Sequence, residues 1–127
     1  MKKIIICLVA LTLISVMSIS AFAATGDTYT YEFGNKTVVF NSDTIFDESE
    51  RVQIAQSLAD DTTAPSTCGI LCLFGHDYEA ENVATITHCV YDTQPKCLKE
   101  IFEVKKCTRC DYTESELLSS AYIVCCE

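Results

Sequence analysis

The sequence predicts an α+β protein: an N-terminal β-hairpin plus helix, then a small cysteine-rich antiparallel β module. Three observations carry this reading. Residues 28–40 alternate in polarity around Gly34-Asn35, residues 47–59 combine a helix-start signature with apolar side chains at helical spacing, and eight of the nine cysteines fall after residue 65. At 127 residues the chain is the size of one ordinary domain, which excludes a large enzyme with separate cofactor and substrate lobes.

The first segment, 1–23, reads as a secretory signal peptide. Lys2 and Lys3 form its charged start, Ile4 to Ile19 its apolar run, and Ala21-Phe22-Ala23 a small-x-small cleavage site. Thr12, Ser15 and Ser18 interrupt the run, which is short for a span of about 20 residues. Cleavage near Ala23 is expected, in the style of a bacterial exporter, giving a secreted extracellular product with no stable membrane anchor. Loss of Lys2 and Lys3 takes the formal charge from -9 to -11. So acidic a chain, with its Lys and Arg dispersed, cannot neutralise phosphates, and nucleic acid is excluded as a partner. It also disfavours a membrane-active peptide toxin.

Residues 24–64 read as a ββα segment. Gly34 at the first position of a two-residue turn supplies the positive φ that a tight hairpin needs. Pairing Phe33 with Lys36 then sets Tyr31 opposite Val38 and Tyr29 opposite Phe40, making one face aromatic and apolar. The cover for that face is a helix capped by Asp47, with Glu50 completing a capping box and Val52, Ala55, Leu58 and Ala59 on one side, ending near Asp60-Asp61. A polar linker holding Pro65 follows. The segment has no Cys, no His and only dispersed carboxylates, so it reads as scaffold; removal as a pro-region is the alternative.

Residues 65–127 form the Cys/His-rich β module, with strand candidates at 82–91, 98–106 and 117–124. About sixty residues of this kind bury too little apolar surface to hold their shape unaided, and staples are expected. In one reading eight thiols pair into four disulfides. In the other, zinc is bound by Cys72 and His76 at C-x3-H spacing together with Cys107 and Cys110 at C-x-x-C spacing. Zinc favours four tetrahedral Cys and His ligands drawn from two short-spaced pairs. Parity leaves the fourth ligand open. With Cys72 five thiols remain, whereas with His88 in its place six remain and can form three bridges. Cys125 and Cys126, as neighbours on an extended segment, point to opposite sides and are expected to have different partners.

Cys72-x3-His76, followed by a strand pair and Cys107-x-x-Cys110, resembles the zinc-ribbon-like pattern of small cysteine-rich proteins secreted by Firmicutes. The likeness spans Cys68 to Cys126, including Gly75-His76-Asp77-Tyr78, Thr87-His88 and Cys110-Asp111-Tyr112. It implies a metal-bound module and no particular activity.

The functional expectation is a non-enzymatic binding or scaffolding module with a structural zinc, disulfides or both, meeting an extracellular partner such as a protein. The rival is a secreted thiol-disulfide redox protein using Cys107 and Cys110, although no helix is predicted to open at that motif and lower its thiol pKa. Neither a nucleophile nor a metalloprotease motif is present, so no catalytic residue is assigned. Asp77 and Glu79 flank His76 as the nearest candidate bases for a catalytic metal.

Overall fold

In the computed structural model, which describes residues 21–22, 28–62 and 70–126, the strands form an antiparallel sheet in sequence order with one helix against it. A two-residue strand, β1 (Ala21–Phe22), lies at one edge. It is followed by β2 (Thr28–Phe33), β3 (Lys36–Asn41), the helix α1 (Glu48–Ala59), β4 (Tyr78–Thr87), β5 (Cys97–Cys107) and β6 (Thr113–Ile123). The fold is α+β. Apart from Ala21 and Phe22, the expected signal peptide lies outside the described residues, as do Pro65 and Cys68. No helix among the described residues is long and apolar enough to cross a membrane.

The β2–β3 hairpin has the expected register, with Phe33 opposite Lys36, Tyr31 opposite Val38 and Tyr29 opposite Phe40. Gly34 turns at φ +60. The helix begins as its sequence dictates: the Asp47 carboxylate accepts from the Glu50 N–H at 2.9 Å, and the Glu50 carboxylate accepts from the Asp47 N–H at 2.9 Å. Two otherwise orphan donors are satisfied reciprocally. The helix ends at Ala59, with Asp60 closing it. Its buried face is Ile54, Ala55 and Leu58, with Val52 only partly buried.

β3 also pairs with β4, setting Val38 opposite Thr85, so the hairpin and the cysteine-rich strands share one sheet. They also share a core. Tyr31, Val38, Phe40, Phe46, Ile54, Ala55, Leu58, Val83 and Val104 form one buried cluster, to which both segments contribute. Phe40 meets Tyr31 and Phe46 edge to face at 5.8 and 6.2 Å, the arrangement ring quadrupoles favour. The Glu81 carboxylate accepts from the Thr44 hydroxyl and the Ile45 N–H, tying β4 to the loop that leads into α1.

β4, β5 and β6 form a long meander. One end of it brings together Tyr78, Cys107 and Thr113, and the other Thr87, Cys97 and Ile123. A bulge beside Ile101 and Phe102 leaves Leu118 as the extra residue of β6. Between these ends lie ten residues of β4, roughly 33 Å at about 3.3 Å per residue.

Candidate metal centres

At the Tyr78 end, Cys72, His76, Cys107 and Cys110 come together, each offering one ligand atom, with all four within 4.8 Å of one another. Two turns build the site. The 3-10 turn Ile70–Cys72 runs into a bend closed by the Gly75 N–H donating to the Cys72 carbonyl at 3.1 Å, and Gly75 sits at φ +116, where a side chain would be strained. This bend brings His76 back beside Cys72. On the other side, the Cys107 N–H donates to the Tyr112 carbonyl at 2.9 Å and the Thr108 N–H to the Asp77 carbonyl at 2.8 Å, folding Cys110 over the end of β5. The Arg109 guanidinium donates to the Gly75 carbonyl at 2.9 Å and latches the two turns together.

The Cys72–Cys107 separation bears on the two expected chemistries. Cys72 Sγ and Cys107 Sγ are 3.6 Å apart, and Cys110 Sγ and His76 Nδ1 are also 3.6 Å apart. A disulfide requires about 2.05 Å. Two sulfurs each about 2.3 Å from a tetrahedrally bound zinc lie about 3.8 Å apart, and a sulfur and a nitrogen about 3.6 Å. The set fits a shared cation. Cys72 and Cys107 are buried, and the His76 ring is stacked on Tyr112 at 4.3 Å and on Tyr78 at 5.5 Å, which fixes its plane. Burial pushes the Cys107 thiol up, but hydrogen bonds from the Arg109 backbone, His76, the Asp77 backbone and Cys72 outweigh it, and the thiol is lowered from 9.0 to about 5. Thiolate is the form a metal binds.

His88 takes no part in this cluster. The alternative set of His76, His88, Cys107 and Cys110 is ruled out because His88 follows the far end of β4. It belongs instead to a second group, His88, Cys97, Cys125 and Cys126, whose ligand atoms likewise lie within 4.8 Å of one another. Within it Cys97 and Cys125 are joined by a disulfide. Cys125 and Cys126 take different partners, Cys125 through its bridge to Cys97 and Cys126 through a hydrogen bond with Cys89, yet both sulfurs line the same cluster. β6 ends at Ile123, and beyond it the two sulfurs lie 3.4 Å apart. His88 Nε2 meets the Thr37 hydroxyl at 2.8 Å and Nδ1 faces Cys125 Sγ at 3.1 Å.

Short-spaced pairs identify the first group in the sequence. The second has no such pair across β4 and β5. The available signal was positional, since His88 follows one strand, Cys97 opens the next and Cys125-Cys126 follows the third, at points a meander brings together. No protein-family model, curated protein or solved structure matches the chain.

Proposed function

We propose that this is a secreted, non-enzymatic binding or scaffolding module whose C-terminal strands are pinned by a structural zinc on Cys72, His76, Cys107 and Cys110. The observation that carries the reading is the convergence of four Cys and His donors within 4.8 Å of one another, with the Cys72 and Cys107 sulfurs at a distance suited to a shared tetrahedral ion and too long for a disulfide. Four protein donors fill that coordination sphere. A catalytic zinc keeps a position open for water or substrate, so a closed set favours a structural role. The magnitude is also adequate. Structural zinc contributes about 10–16 kcal/mol of apparent binding free energy, comparable with the entire stability of a domain, about 5–15 kcal/mol.

The binding role is supported by what the site holds out to solvent. Ile70, Leu73 and Phe74 are 87%, 73% and 100% exposed, on the turn that carries Cys72. Apolar side chains presented together on a rigid turn suit contact with a protein surface. Secretion rests on the pattern of residues 1–23.

The redox alternative draws on the low Cys107 thiol pKa, but Cys107 is 1% exposed and sits at the end of a strand, out of reach of a disulfide substrate. Native mass spectrometry of the exported protein with and without a chelator tests the proposal. It expects zinc bound to a chain beginning near Ala24, with loss of cooperative unfolding when the metal is stripped. Metal-free protein with Cys72, Cys107 and Cys110 oxidised or present as titratable thiols, and still folded, overturns it.

A further inference from the structure

We propose that His88, Cys97, Cys125 and Cys126 form a second site for a thiophilic divalent cation of the zinc class, and that the Cys97–Cys125 disulfide and the cation are mutually exclusive occupants of it. The site uses different residues from the first cluster, at the other end of the β4–β6 meander, and does not depend on that cluster binding metal.

The case begins with the surplus donors. A bridge that only staples β5 to the C-terminus needs two sulfurs. Here a third sulfur, Cys126 Sγ, lies 3.3 Å from Cys97 Sγ and 3.4 Å from Cys125 Sγ. A ring nitrogen, His88 Nδ1, lies 3.1, 3.7 and 3.9 Å from the sulfurs of Cys125, Cys126 and Cys97. Three thiolates and an imidazole make a complete tetrahedral set for zinc, and soft thiolate ligands select for such ions.

The imidazole is also held as a ligand would be. Its Nε2 meets the Thr37 hydroxyl at 2.8 Å, so an Nε2–H donated there leaves the Nδ1 lone pair facing the sulfurs. Backbone bonds fix the residue as well: the His88 N–H donates to the Asn35 carbonyl at 2.7 Å, and the Asn35 amide donates to the His88 carbonyl at 3.4 Å. The Gln94 amide donates to the Cys126 carbonyl and anchors the chain end over the site.

Exclusivity follows from the ligand count. In the bridged state Cys97 and Cys125 are no longer thiolates, and of the four only Cys126 and His88 remain to coordinate. The exchange is balanced by a low-molecular-weight disulfide. The Cys125 thiolate, the exposed one of the pair, attacks one sulfur of that small disulfide and expels a thiolate, and the buried Cys97 thiolate then attacks the Cys125 sulfur and expels the second. Two protein thiolates are oxidised to one disulfide, the small disulfide is reduced to two thiolates, and the divalent cation leaves. A small thiol and zinc reverse the sequence. The second site therefore reports the thiol balance of its surroundings by taking up or releasing a cation.

Zinc stoichiometry of the full chain, by native mass spectrometry, tests this in three forms: wild type reduced, wild type carrying the Cys97–Cys125 bridge, and C126S reduced. Cobalt substitution provides a second readout through the visible bands of tetrahedral thiolate-bound metal. The expected counts are two zinc ions, one and one, with H88A behaving as C126S does and both variants keeping the first site. Reduced wild type binding one zinc that C126S and H88A retain overturns the second site and leaves the first intact. One zinc in wild type that C126S loses supports the second site and rejects the first. Two zinc ions bound with the Cys97–Cys125 bridge intact overturns the exclusivity.

Discussion

The Thr37 hydroxyl lies 2.8 Å from His88 Nε2, joining the turn end of the cysteine-free hairpin to the cysteine cluster that follows β4. The N-terminal segment thus does more than cover the core. It orients the imidazole whose other nitrogen faces three sulfurs.

Replacing Thr37 with Val removes that contact while preserving side-chain shape. Outer-shell partners of ligating histidines are typically worth about 10–100-fold in metal affinity. T37V is expected to weaken zinc at the His88 cluster by that factor, to leave the Cys72 cluster unchanged, and to be rescued by T37S. Competition against a chromophoric chelator, with reduced protein, measures both sites.

Cys107 predicts a pH dependence for the metal-free protein. Its thiol is lowered from 9.0 to about 5 in the fold, so the folded state favours the thiolate. The sign is that of a depressed acid: the stabilisation is fully present above pH 9, declines as the pH falls below it, and is gone below about 5. The wild-type minus C107A difference in ultraviolet thiolate absorbance is expected to titrate near pH 5. Denaturant midpoints measured across the same range should fall toward acid in wild type more than in C107A. A difference titration near 9 would contradict this.

Thr85 is a buried position in β4 whose hydroxyl oxygen has no hydrogen-bond partner among the described residues. A buried hydroxyl without a partner costs about 1–3 kcal/mol. Thr85→Val keeps the branched shape beside Val38 and removes the polar atom, so stabilisation of about 1 kcal/mol or more is expected from urea unfolding. Destabilisation would show that the hydroxyl is satisfied in solution.

Two substitutions around the helix should differ in size. Asp47→Ala removes the cap and is expected to cost about 1 kcal/mol. Phe40→Ala empties the centre of the shared core, where Phe40 is fully buried between Tyr31 and Phe46, and should cost about 3–5 kcal/mol. If the core is shared as the sheet indicates, F40A also weakens zinc retention at the Cys72 cluster, whereas D47A leaves it nearly unchanged.

The hairpin register, the capping box and the end of the helix were all readable from residue order, because each depends on groups a few positions apart. The two short-spaced pairs of the Cys72 cluster were equally readable, each being made within one turn, whereas their meeting, and Cys72 rather than His88 as the fourth member, came from the register that sets Tyr78 beside Cys107. Ile54, four residues before Leu58, shares its face by helical spacing and is buried with it, whereas Val52 at the margin of that face is only partly buried.

Contacts between distant segments had no local signature. Which strand would extend β3, and so join the two segments through Val38 and Thr85, was settled by packing of the shared core. The convergence of His88, Cys97, Cys125 and Cys126 was settled by the register that sets Thr87 beside Leu98 and Cys97 beside Ile123. Short-range order follows from sterics and hydrogen bonds between neighbours. Ligands contributed by three strand ends meet only after the whole meander has chosen its alignment.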